Sequence, residues 1–243
     1  MLTATIDESG THENAPILCV AACVATSTQW KLFRQDWLPI LGKVEFPREV
    51  RHRKYHASKR WFSDVNPELA RLINRRMDVV FAVTIPYADF RDIAPAPFLA
   101  EVGGEYAIGV TACIQLLQEW VDGYRRKDTK IAYLVEAGHK NSSRVEEAFK
   151  ALLANPALST KWKVAKFDWG GKDDLILHPP DLVSHELASC YGSADSPVLT
   201  TLKQSIRHYR MDPADMKRNV DEIMELLPQW RRERRERRRR LRG

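Results

Sequence analysis

The sequence predicts a three-layer α/β domain, a mixed sheet of five strands held between two layers of helices. Three observations carry that prediction. Residues 79–85 and 131–135 are apolar on both faces, as strands are when helices cover them on each side. Stretches with apolar residues at helical spacing alternate with strands through the second half of the chain, the order expected of an α/β domain. At 243 residues, 44% apolar and 29% charged, the chain is long enough to bury such a core.

Residues 2–6 and 17–25 form two strands of a hairpin, joined by the polar stretch 7–15. Ser27 or Thr28 caps a helix whose apolar side carries Trp30, Phe33, Trp37 and Leu41. The basic and aromatic stretch 45–63 lacks periodicity and is expected as a long loop. Asn66-Pro67 opens the next helix, through Leu69, Leu72 and Ile73. The third strand, 79–85, ends at Pro86 and a Pro-rich turn over 86–97. A helix over 101–123 follows, with Tyr106, Val110, Cys113, Ile114, Leu117 and Val121 on one stripe.

The fourth strand, 131–135, ends at Glu136-Ala137-Gly138. Ser142 or Ser143 caps a helix with Val145, Phe149 and Leu152, and 162–167 is the fifth strand. After the polar turn 168–174, Pro179-Pro180 opens a helix through Leu182, Val183 and Leu187. Helices over 198–209 and 213–227 complete the chain before an arginine run. The organisation is therefore an α/β domain over 1–195, a helical extension over 196–228, and a disordered Arg-rich arm over 229–243.

The net charge of +6 looks like a nucleic-acid signature until it is located. Between Arg231 and Arg242 there are nine Arg and two Glu, a charge of +7, which leaves −1 for the rest of the chain. Such an arm binds phosphates without regard to sequence, or serves as a solvated tail. The longest apolar run, 17–25, is too short to cross a bilayer, and no charged-apolar-small leader opens the chain. A cytoplasmic protein without a membrane partner is expected. Cys19 and Cys23 would lie about 13 Å apart in an extended strand, too far to bridge. The four cysteines form no CxxC pair or zinc spacing, so buried free thiols are expected.

Three carboxylates occupy matching positions. Asp7 ends the first strand, Glu136 ends the fourth, and Asp181 stands in the first turn of the helix after the fifth. Ligand sites in open α/β sheets form beyond the carboxyl ends of strands, and a helix N-terminus keeps an acid ionised. Magnesium and similar hard cations take carboxylate oxygens, and metal pairs clamp a phosphoryl group during displacement. Each acid also has a plainer reading: Asp7 and Glu136 as solvated acids at strand ends, Asp181 as a partner of the helix dipole. Glu8 points opposite Asp7 and is expected in solvent.

Ile6-Asp7-Glu8-Ser9-Gly10, Tyr55-His56-Ala57-Ser58, Val135-Glu136-Ala137-Gly138 and Asp181-Leu182-Val183 together resemble the ordered motifs of the family catalogued as domain of unknown function 3800. The resemblance spans residues 2–192 and rests mainly on the first and last motifs. That family is regarded as ribonuclease-H-like. The resemblance therefore implies a ribonuclease-H-like sheet in which Asp7, Glu136 and Asp181 bind metal and His56 belongs to the site. In ribonuclease H the helix between strands three and four adds another acid, for which Glu105 is the nearest equivalent, with Glu101 behind it. Two departures stand out: His178-Pro179-Pro180 where the family has Gln, a small residue and Ala, and Glu136 where it often has Asp.

His56 lies in a loop with Arg51, Arg53, Lys54, Lys59 and Arg60, with Tyr55 and Trp61 interleaved, a mixture suited to phosphate contact and base stacking or to a solvated loop. His185, four residues after Asp181, shares its helix face and either moves a proton or packs. His139-Lys140 either neutralises phosphate or forms an exposed turn.

The expected function is a Mg2+- or Mn2+-dependent nuclease hydrolysing phosphodiesters of RNA or DNA. Asp7, Glu136, Asp181 and His56 are its candidate catalytic residues, and Asp7, Glu136, Asp181 and Glu105 its candidate metal ligands. Two alternatives remain: a non-catalytic ribonuclease-H-like module that binds nucleic acid through the arm, and a defence- or toxin-system effector that relies on a partner protein.

Overall fold

The computed structural model describes residues 1–12, 14–46, 54–102, 104–124, 129–138, 145–147, 160, 162–171 and 173–240. Its strands are β1 (Leu2–Ser9), β2 (Ile17–Thr26), β3 (Val79–Pro86), β4 (Ile131–Glu136), β5 (Val164–Gly170) and β6 (Ile206–Arg210). They form one sheet in the order β5-β4-β1-β2-β3-β6. Strand β2 is antiparallel to both its neighbours, while the β1–β4, β4–β5 and β3–β6 pairs are parallel. This is the three-layer α/β class expected, with one strand more.

The helices are α1 (Ser27–Leu41), α2 (Asn66–Arg76), α3 (Tyr87–Ile93), α4 (Ala96–Val102), α5 (Gly104–Tyr124), α6 (His178–Ser189), α7 (Pro197–Leu202) and α8 (Pro213–Arg240). Strand alternation divides the core between two faces. Ala4, Ile6, Val20, Tyr133 and Val135 pack beneath α5. Cys19, Ala21, Cys23 and Ala82 pack beneath α1, α2 and α6, with Phe33, Trp37, Leu69 and Leu182. Cys19, Cys23 and Cys113 are buried free thiols, and Cys190 is half-buried.

Several expected boundaries move. Strand β1 continues through Asp7 and Glu8 to Ser9, because β2 satisfies its backbone along that length whatever its side chains. The cap of α1 is Thr26, which accepts from the Gln29 amide at 3.3 Å. Most of the expected Pro-rich turn is helical: Pro86 caps α3 and Pro97 sits in the first turn of α4, positions where a missing N–H is harmless. The long helix starts at Gly104, not at 101, and that glycine's φ of 66° separates it from α4. The turn expected from 168 belongs to β5 as far as Gly170. The helix expected over 142–152 lies largely outside the described residues, although Val145 joins the core.

The helix expected over 198–209 is instead α7 followed by β6, so the extension is not purely helical and the sheet is not five-stranded. Ile206 and Tyr209 are partly buried, whereas Arg207, His208 and Arg210 are exposed. An edge strand tolerates that charge, which hides its alternation from sequence reading. The arm expected as disordered is helical as far as Arg240, in one run with the helix expected to stop at 227.

Gly10 turns the β1–β2 hairpin at a φ of 83°, and a Cβ there would stand 2.1 Å from the Ile17 carbonyl oxygen. Gly10→Ala should therefore destabilise the protein by about 2–4 kcal/mol, read as a lower urea midpoint at unchanged slope. A loss under about 0.5 kcal/mol would mean that the hairpin tolerates a side chain at this turn.

Candidate functional site

Asp7 and Glu136 meet because of strand register. On β1 the odd positions Thr3, Thr5 and Asp7 face α6. The parallel pairing of β1 with β4 sets Ile6 opposite Val135, so the next step brings Asp7 beside Glu136. Both acids are buried, at 2% and 6% exposure. The Glu8 amide donates to Asp7 Oδ1 at 2.7 Å. Burial pushes the Asp7 carboxyl well above the usual carboxylate range, and the shared hydrogen bond with Glu136 and the charges of Glu8, Asp181 and Glu136 push the same way. Among the described residues, the neighbours that shift it are all acids.

Asp181, in the first turn of α6, is held by a neighbouring loop. The Ala57 amide donates to its Oδ2 at 2.9 Å, and His56 Nδ1 lies 4.0 Å from the same oxygen. That loop is fixed from beneath by a buried network. Trp37 Nε1 donates to His178 Nδ1 at 2.9 Å, and Tyr55 stacks on the His178 ring with centroids 4.6 Å apart. The Tyr55 hydroxyl donates to Asn66 Oδ1 at 2.7 Å, and Asn66 Nδ2 donates to the Ala57 carbonyl at 3.4 Å. The network carries the hold from α1 and α2 to Asp181.

These groups surround an open cleft of about 620 Å³ whose lining includes Asp7, Glu136, Asp181, His56, His185 and Ser9. His185 is part-buried, which holds its imidazole below the usual histidine range; the His56 charge acts in the same direction, while Glu186 and Asp181 oppose it. Glu8 also reaches the cleft lining, and it is half-buried where solvent exposure was expected. Their own burial pushes the Tyr106 and Tyr87 hydroxyls upward, and the Glu8 charge acts in the same direction.

Glu105 does not join the cleft. It stands in the first turn of α5, whose body packs on the opposite face of the sheet, and its charge acts on Tyr87. Glu105 is not among the described residues that line the cleft. Of the basic loop, Arg51, His52 and Arg53 lie outside the described residues, as do His139 and Lys140, while Lys54 pairs with Asp173 at 2.6 Å.

No family model matches the chain. No curated protein matches it. Among solved structures, a chain of the PCNA:RNase HII complex from Archaeoglobus fulgidus is similar, with 12% identity, a TM-score of 0.41, and coverage of 84% of this chain and 87% of that one. A likeness of that size says nothing about activity.

Among the described residues, no group of three or more His, Cys, Asp or Glu side chains is drawn together closely enough to hold an ion as it stands. Asp7 and Glu136 are paired, whereas Asp181 is engaged by the Ala57 amide. Among the same residues, no helix is long and apolar enough to cross a membrane. Sequence reading missed Trp37, Asn66 and His178 as supports of the site. The only signal was His178-Pro179-Pro180 at the head of α6; Asn66 passed as the opening of α2.

Proposed function

We propose that the protein is a magnesium- or manganese-dependent phosphodiesterase acting on nucleic acid, with its centre at Asp7, Glu136 and Asp181. We infer too that it is a divergent member of the domain of unknown function 3800 family, on the order of its four motifs. The observation that carries the activity is the buried Asp7–Glu136 pair on the wall of an open cleft, where the charges acting on Asp7 among the described residues are those of Glu8, Asp181 and Glu136. Buried carboxylates are retained at that disadvantage where a cation completes them.

The donor chemistry fits a hard divalent ion: carboxylate oxygens without a thiolate among them. Asp7 and Glu136 would hold it, and Asp181 would add an oxygen on exchanging its bond to Ala57. A bound ion supplies a more acidic water and neutralises phosphoryl charge. The remaining work belongs to the chain. The Glu8 amide orients Asp7, and the Ala57 amide orients Asp181. His56 and His185, on the cleft wall, are placed to pass a proton to the leaving oxygen.

The test is a magnesium and manganese titration by calorimetry, with cleavage of labelled RNA and DNA, on the wild-type chain and Glu136→Gln. Wild type should bind and cleave only with divalent ion, and the variant should lose at least about tenfold in metal affinity. Equal metal binding by both proteins would sink the assignment. Nucleic-acid binding that persists in chelator, with cleavage never seen, would favour the non-catalytic module, which the Arg-rich stretch of α8 supports.

A further inference from the structure

Past Pro228, helix α8 carries eight Arg and two Glu between Arg231 and Arg240. At about 100° per residue, positions 231, 232, 234, 235, 238 and 239 fall within an arc of about 160°, and both glutamates fall on the other side. Six arginine positions along that arc correspond to one formal positive charge per about 2 Å of helix axis, given a rise of about 1.5 Å per residue. Duplex DNA presents one phosphate charge per about 1.7 Å of its axis, and a single strand one per about 3.4 Å. Arg231, Arg232, Arg235 and Arg239 are exposed. Arginines four apart repel along the helix, a strain that a polyanion relieves.

The root of this helix is fixed. Arg231 Nε donates to Glu101 Oε2 at 2.8 Å, and its Nη2 bonds the other carboxylate oxygen. Glu101 lies on α4, which leads into the first turn of α5, where the Glu105 charge acts on Tyr87. The Tyr87 hydroxyl donates at 2.9 Å to the carbonyl of Gly10, which lines the cleft. The arginine face therefore starts at the end of the sheet that bears the cleft.

We propose that this helix is a rail for the backbone of duplex DNA, leading the duplex toward the cleft. The choice of ligand rests on the nucleic-acid reading above; the rail itself needs no metal. A helix about 10–12 Å across fits the B-form major groove, about 12 Å wide, whereas the A-form groove is too narrow.

The test measures anisotropy of a labelled duplex of about 20 base pairs with the full chain carrying Asp7→Asn, in chelator. Contact with about five phosphates predicts a log-log salt slope near −4.5, a loss of about 500-fold in affinity from 50 to 200 mM salt. Changing Arg232, Arg235 and Arg239 together to Gln should make that slope shallower by about 2.7, with helicity by circular dichroism retained. The rail is overturned if the triple variant keeps the parent's affinity and slope. It is also overturned if a single strand of equal length binds as tightly as the duplex, or if polyglutamate of matched charge displaces the duplex equally well, which would point to an acidic protein partner. Binding through the arginines, with no cleavage under any divalent ion by the chain that retains Asp7, would keep the rail and remove the proposed activity. Cleavage by the triple variant in the Asp7 background, without the arginine-dependent binding, would do the reverse.

Discussion

Asp7→Asn should cut divalent-dependent cleavage by about 10²–10³-fold while making the metal-free protein harder to unfold at neutral pH. The two effects share one cause. Asp7 is buried beside Glu136, and among the described residues the charges that act on it are those of Glu8, Asp181 and Glu136, so its carboxyl is held well above the usual range. The unfolded chain releases that proton near pH 3.9, whereas the folded protein keeps it to a higher pH. The contribution to stability is therefore fully present below the unfolded value and is lost as pH rises through the folded one.

In chelator, wild-type stability should fall from about pH 4 upward on account of this group. Asn carries no proton to lose and can donate its amide to Glu136, so the variant should show a flatter profile and gain about 1–2 kcal/mol at pH 7. Cleavage should drop by about 10²–10³-fold, since a lost metal oxygen removes several kcal/mol of transition-state stabilisation. Urea midpoints from pH 4 to 8, with and without magnesium, measure the first effect and single-turnover cleavage the second. A variant that is less stable than wild type in chelator would overturn the account of Asp7 as a functional acid held against stability.

Asn66→Leu should destabilise the fold and loosen the site at once. The change leaves the Tyr55 hydroxyl without its buried acceptor and the Ala57 carbonyl without its donor. Unsatisfied groups of this kind make a loss of about 2–3 kcal/mol the expectation. The Ala57 amide would then hold Asp181 less firmly, and cleavage at saturating substrate should fall by about tenfold or more, as when a supporting residue behind a metal ligand is removed. Denaturation midpoints and turnover, measured together below the melting range, separate the two effects. Full activity in a destabilised variant would reduce the Tyr55–Asn66–His178 network to a packing role.

Legibility followed the range of the interactions. Strand β3 was readable because helices cover both its faces and every position is buried. The apolar stripe of α5 was readable because helical periodicity is local. Strand β6 was not, since its pairing partner lies more than a hundred residues earlier and its exposed rim carries Arg207, His208 and Arg210. The long reach of α8 was obscured because a run of arginines resembles a solvated tail, and the bond from Arg231 to Glu101 spans 130 residues of sequence.

The same division runs through the candidate site. Residue order alone named Asp7, Glu136 and Asp181, because acids at the ends of apolar strands and at a helix start are anomalies visible one element at a time. Likeness to ribonuclease H put Glu105 forward, and strand alternation took Glu8 for a solvated acid; the fold sets Glu105 on α5, outside the cleft lining, and brings Glu8, half-buried, to it. Which face of a sheet a side chain meets depends on what packs there, and α5 lies opposite the cleft. Only the folded chain joined Asp7 to Glu136, through the parallel register of β1 and β4, and tied Asp181 to the loop that Tyr55 and Asn66 hold down. Register and packing are set by contacts between distant segments, which spacing along a chain does not encode.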